Sequence, residues 1–191
     1  MDLQKLNVKF FVEGPDAIPL TDFIDTFHGW IQATDGDYYD VVDYSHMKAG
    51  PGIVLIANNA NVSIDETENR RGLLFSQKGG LRGSNQEKLR SAFRSALENC
   101  RKLEEEPALR GKLRFAANEA VVSVNDRLIG SNSQESFDEM KGDIEVFAKQ
   151  LFGSVDITFE RNSDPRQRLH VRLKAAVPLN VDQALENLQR R

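Results

Sequence analysis

The chain has 191 residues, 40% hydrophobic and 28% charged, which suits one sizeable core or two small halves packed together. No apolar run approaches the roughly 20 residues that span a bilayer, and the opening MDLQKLNVKFFVEG lacks the apolar stretch and cleavage site of a signal peptide. A single cysteine, Cys100, excludes an internal disulfide framework and a cysteine-based zinc site, so a reducing cytoplasm is the expected compartment.

The net charge of −4 is unevenly spread. Residues 1–66 hold 3 basic and 11 acidic groups, and residues 67–115 hold 12 basic and 6 acidic. An acidic end beside a basic middle can steer partners or pair with a second copy of the chain; it also fits ordinary solvated faces.

In chain order, Leu6–Glu13 reads as a strand stopped by Gly14-Pro15-Asp16. Leu20, Phe23, Ile24, Phe27 and Ile31 then recur at helical spacing, with Thr21 as the expected N-cap, so residues 21–33 are predicted to be helical. Tyr38–Ser45 is the next strand. Ile53–Ala57 has no polar interruption, so both of its faces are expected to be covered by protein. Turns at Asn58-Asn59-Ala60 and Asn69-Arg70-Arg71-Gly72 make Ile53–Ala57, Val62–Asp65 and Leu73–Gln77 an antiparallel meander.

Ser84-Asn85-Gln86-Glu87 is a capping box. It opens a helix with a stripe of Leu89, Ala92, Phe93, Ala96, Leu97, Cys100 and Leu103, expected to stop before Pro107. Its outer face is expected to carry Lys88, Arg90, Arg94, Arg101 and Lys102. Leu113–Ala117 and Ala120–Val124 read as a hairpin around Asn118-Glu119. Asn132-Ser133-Gln134-Glu135 caps a helix with Phe137, Met140, Ile144, Phe147, Ala148 and Leu151, terminated by Gly153. Val155, Ile157 and Phe159, then Leu169, Val171 and Leu173, alternate with polar residues, as in a hairpin with one wet face. Pairing Glu160 with Arg168 would set Thr158 against His170 and Asp156 against Arg172, a structural role for His170. Asn180 caps a last short helix.

These elements define an α+β fold: mostly antiparallel sheet covered by three or four amphipathic helices. Residues 21–57 and 134–173 share a helix, strand, loop, strand rhythm without matching identities. They hint at halves 1–110 and 111–191, and no Pro-, Gly- or Ser-rich linker divides them, so one domain over 1–191 is expected.

Three groups of residues bear on possible chemistry, two as candidate sites and one as a residue to set aside. If the first helix packs on Tyr38–Ser45, His28, Asp43 and His46 converge, and two imidazoles with a carboxylate suit iron, zinc or manganese. Tyr44, Gly50 and Gly52 complete that candidate pocket, although no HxH, HExxH or HxxE spacing specifies a metal. Gly50-Pro51-Gly52 also reads as a plain chain reversal. Second, Lys78, Arg82 and Ser84 stand at a glycine-rich loop leading into a helix N-terminus, a place that favours anions. Third, Cys100 lies on an apolar stripe, where a thiol is a small core residue rather than a nucleophile. A pI of about 5.5 and the lack of an RNP, KH or helix-turn-helix pattern count against nucleic acid.

Phe27-His28-Gly29-Trp30-Ile31-Gln32, Asp40-Val41-Val42-Asp43-Tyr44-Ser45-His46 with Gly50-Pro51-Gly52, Gly72-Leu73-Leu74-Phe75 and Val124-Asn125-Asp126-Arg127-Leu128 are similar to an uncharacterised bacterial protein family. The resemblance spans roughly residues 20–175. It implies a bacterial cytoplasmic protein with one fold across the chain, and it brings no activity, cofactor or functional residue. The leading expectation is a non-catalytic binding or assembly protein that forms a homodimer, with a small anionic ligand as a further possible partner. The alternatives are a small-ligand or metal-dependent enzyme at His28, Asp43 and His46, and anion binding at Gly79–Ser84.

Overall fold

The computed structural model describes residues 1–15, 17–126, 131–153, 156–164 and 166–190. Strand β1 (Leu6–Val12) divides the molecule through its alternation. Leu6, Val8 and Phe10 point to one side and are fully buried, while Asn7, Lys9 and Phe11 point to the other.

The remaining strands are β2 (Tyr38–Tyr44), β3 (Gly52–Ala57), β4 (Ala60–Asp65), β5 (Gly72–Gln77), β6 (Phe115–Val124), β7 (Ile157–Arg161) and β8 (His170–Ala175). They form one eight-stranded sheet in the order β2-β3-β4-β5-β1-β6-β8-β7. Every neighbouring pair is antiparallel. The four described helices are α1 (Leu20–Ala33), α2 (Asn85–Glu105), α3 (Gln134–Phe152) and α4 (Val181–Gln189). Their apolar stripes join Leu6, Val8, Phe10, Ile53, Leu55 and Leu73 in one core. Phe10 meets Phe93 of α2 edge-on at 5.9 Å, and Phe93 meets Phe147 of α3 at 4.7 Å. Each such side chain contributes about 1.5–3 kcal/mol by leaving water. The fold is therefore α+β, with helices on one side of an antiparallel sheet.

The shared rhythm takes a concrete form. β1-α1-β2-β3 and β6-α3-β7-β8 each start from a central strand, cross by a helix to an edge strand and return by a hairpin. The first half adds β4 and β5. β1 and β6 pair with each other, so the sheet runs unbroken through both halves.

Local chemistry explains most boundaries. Ser84 accepts the Glu87 N–H, and the Glu87 carboxylate accepts the Ser84 N–H at 2.7 Å, so the capping box forms. Asn180 and Gln183 make a second box at α4. Ser133 caps α3, which ends at Gly153 with φ +81°.

Several expectations need correction. Thr21 caps nothing: α1 begins at Leu20 after Pro19, which has no side-chain cap bond. Lys88 is not on an outer face; it is 3% exposed and paired with Asp2, which folds back over it. Asn118-Glu119 is a bulge rather than a turn. The β1 register jumps from Phe10↔Ala120 to Phe11↔Ala116, while Glu119 stays paired with Lys174 of β8. The bulge is held because Ala117 N–H donates to the Leu179 carbonyl at 3.0 Å and Asn118 Nδ2 to the Ala175 carbonyl at 3.3 Å. Glu160 lies opposite Arg172 instead of Arg168, and Thr158 opposite Lys174. The turn is wider than expected because Asn162 and Asp164 organise it by bonding back to the loop backbone. Finally, only one side of β3 is sealed: Ile53 and Leu55 are buried, but Val54 and Ile56 are half-buried on the side without helices. An unbroken apolar run met a groove there instead of a second helical layer. Asp16, Arg127, Leu128 and Val155 lie outside the described residues.

Candidate functional site

The side of the sheet without helices can be read off strand register. Asn61, Ser76, Asn7, Ser123 and His170 lie side by side on five successive strands, about 4.8 Å apart. The next row is Val54, Ser63, Leu74, Lys9, Val121 and Arg172. One row carries amides, hydroxyls and an imidazole, and its neighbour is half apolar, with Val54, Leu74 and Val121 among Ser63, Lys9 and Arg172. Asn7 and Asn61 each bury a side-chain oxygen with no hydrogen-bond partner among the described residues. Buried polar atoms are nearly always paired, so two orphans in one row mark it out.

Lys9 is the opposite case. Its ammonium donates to Asp65 Oδ1 at 2.5 Å, the Arg70 carbonyl at 2.8 Å, the Thr67 carbonyl at 3.1 Å and Thr67 Oγ1 at 3.3 Å. Burial pushes the Lys9 ammonium below its usual range, and the Asp65 charge opposes that. Three N–H donors with four acceptors leave nothing for a ligand.

Past Lys9, Phe11 is 1% exposed although it points away from the helices. Arg70 stacks on its ring at 3.8 Å, with Arg172 at 5.3 Å. Glu119, delivered by the bulge, binds Arg70 at 2.6 Å and Arg172 at 2.8 Å. Burial alone would raise the Glu119 carboxyl, but the bonds from Arg70 and Arg172 prevail and hold it below the usual range. Arg172 also meets Glu68 at 2.8 Å, and His170 approaches Glu68 at 3.7 Å. Burial lowers the His170 imidazole, so it is mostly neutral at pH 7.

Two of the clefts on this face border the asparagines with orphaned oxygens. One of about 570 Å³ is lined by Asn7, Ser123, His170, Leu74, Val121 and Arg168, among others. The other, of about 300 Å³, is lined by Val42, Tyr44, Pro51, Val54, Ile56 and Asn61, and Leu74 borders both.

Of the sequence-derived pocket and anion-site candidates, Tyr44 borders one of these clefts and the others fall elsewhere. His28, Asp43, Tyr44 and His46 are all exposed. Tyr44 and His46 rings lie 6.5 Å apart. The hydrogen bonds from Ser45 hold the Asp43 carboxyl below its usual range. His28 makes no bond or ion pair to Asp43 or His46, and no three His, Cys, Asp or Glu side chains among the described residues are placed to hold a metal. Gly50 and Gly52 serve the backbone: a Cβ on Gly52, at φ +62°, would sit 2.0 Å from the Ile64 carbonyl oxygen. The loop they belong to does border a cleft of about 470 Å³, but with Ser45, Met47, Lys48, Arg70 and Arg71.

At the second candidate, Lys78 Nζ donates to the Ala57 carbonyl at 2.6 Å. Glu87 fills the helix start and accepts from both Ser84 N–H and Ser84 Oγ. That carboxylate stands where an external anion would sit. Arg82 remains exposed nearby. Burial pushes the Cys100 thiol well up, which keeps it protonated inside the core.

Sequence reasoning missed Asn7, Lys9, Asp65 and Glu119. The signal for the first two was present, since LNVKF alternates apolar and polar residues through the opening strand. No helix is long and apolar enough to cross a membrane among the described residues. A scan of protein-family models and searches of curated proteins and of solved structures each return no match.

Proposed function

We propose that the chain is a non-catalytic binding and assembly protein that works through the helix-free side of its sheet and pairs there with a second copy of itself. The observation that carries this reading is the apolar end of that side. Tyr44, 37% exposed, stands beside the groove formed by Val42, Pro51, Val54, Ile56 and Leu74, with Met47, 46% exposed, close by in sequence. An aromatic knob next to an apolar hollow is self-complementary, which a two-fold interface requires. Asn61 buries its orphan oxygen in the same groove, where a partner can donate to it. Asp40 and Asp43 on the edge strand β2 oppose edge-to-edge pairing of two copies, so the contact is face to face.

Binding rather than catalysis is supported by the state of the reactive groups: Cys100 is sealed in the core and Lys9 is saturated. A single buried thiol also suits a reducing cytoplasm. Sedimentation velocity tests the reading. The native chain is expected to be a dimer at micromolar concentration, and Tyr44→Lys or Ile56→Lys a folded monomer. A native chain that stays monomeric, or variants that stay dimeric, would refute it.

A further inference from the structure

Asn7 and Lys9 sit two residues apart on β1 and line the same cleft of about 570 Å³. Lys9 has all the partners it can use. Asn7 is 6% exposed, and its carboxamide makes no hydrogen bond among the described residues. Its cross-strand neighbours Ser76 and Ser123 make no side-chain hydrogen bond there either. Leaving such a buried amide unpaired is unfavourable, because it has lost its bonds to water and gained none from the protein. Rotation about its terminal torsion, which is broad, turns either end toward the cleft.

The complement of a carboxamide is another amide, which returns a donor to its oxygen and an acceptor to its NH2. Leu74 and Val121 give apolar contact on either side of Lys9 in the adjacent row. At the mouth of the cleft stands Arg168, exposed and without an ion pair among the described residues. Its neighbours are already committed, Arg166 to Asp164 at 3.0 Å and Arg172 to Glu119 and Glu68. A free guanidinium fork matches a carboxylate.

The geometry points to a binding site for a molecule that carries an amide next to a carboxylate, with the amide on Asn7 and the carboxylate on Arg168. N-acyl amino acids have that chemistry, and so does the C-terminus of a polypeptide. A simple anion would engage Arg168 and leave Asn7 unpaired, and a neutral amide would do the reverse. Asn7 and Arg168 lie outside the Tyr44 groove, which shares only Leu74 with this cleft, so their two contacts stand whether or not the Tyr44 end self-associates.

The test is an NMR titration of the 15N-labelled chain with N-acetylglycine, following the Asn7 side-chain amide. A saturable shift is expected, weakened about tenfold or more in Asn7→Leu, read on backbone signals, and in Arg168→Gln. Inorganic phosphate is expected to leave the Asn7 signal in place, and N-acetylglycinamide, which lacks the carboxylate, to move it only at concentrations about tenfold or more higher than N-acetylglycine. Asn7→Leu removes an unpaired polar group and should keep or raise Tm. Should it fail to fold, Arg168→Gln, an exposed change, carries the test. Acetyl-triglycine separates the two sources: tighter binding than N-acetylglycine supports a chain terminus, and equal or weaker binding supports a small molecule. The proposal is overturned if neither compound gives a saturable shift, if phosphate moves Asn7 equally, or if the variants bind as the native chain does.

Discussion

The two sides of the sheet are built from the same strands and obey different rules. Under the helices, Leu6, Val8, Phe10, Ala120, Val122 and Val124 are sealed from water, and their stabilisation comes from apolar burial. One residue over, Asn7, Lys9, Phe11, Val121 and Ser123 form a surface with its own small buried spots, held by charges and hydrogen bonds. Burial on the helical side has a structural purpose that is complete. On the other side it is complete at Lys9 and Glu119 and incomplete at Asn7 and Asn61. In the proposed function, the difference separates scaffold from working surface.

The contrast predicts a graded set of outcomes. Phe93→Ala removes a ring that packs on both Phe10 and Phe147, so urea unfolding should show a loss of about 3–5 kcal/mol. Lys9→Met leaves Asp65 charged and buried, and should cost about 3–5 kcal/mol. The double variant Lys9→Met/Asp65→Leu is expected to recover much of that, because it removes both charges. A double variant no better than the single would show that the pair does more than neutralise itself. Ser84→Ala breaks the α2 capping box and should cost about 1 kcal/mol by the same measurement.

The smallest effect is one of pH. Burial lowers the folded His170 below its ordinary value of 6.5. Its contribution to stability is therefore fully present above pH 6.5 and is lost as pH falls through the lowered folded value. Stability measured in steps below pH 6.5 should fall less steeply in His170→Gln than in the native chain. Parallel curves would contradict the assignment.

The scaffold was legible because local signals and packing agreed. The Ser84 box, the stripe from Leu89 to Leu103 and the Asn58-Asn59 turn each gave the right element. The Asn118-Glu119 bulge was not legible, because its bonds to Leu179 and Ala175 come from residues far along the chain. The working surface was hidden for the same reason. Asn61, Ser76, Asn7 and Ser123 become neighbours only once strand order is known, and that order places β1 between β5 and β6. Histidines and glycines drew the sequence reading to Ser45–Gly52, where Gly52 is needed for close backbone approach.

Hydroxyl-radical footprinting across protein concentration tests the division most directly. The account predicts that Tyr44 and Met47 become protected as concentration rises, while Val146, exposed on α3, is labelled equally throughout. Unchanged labelling of Tyr44 with protection appearing at Val146 would place the working surface on the helical side and contradict the account.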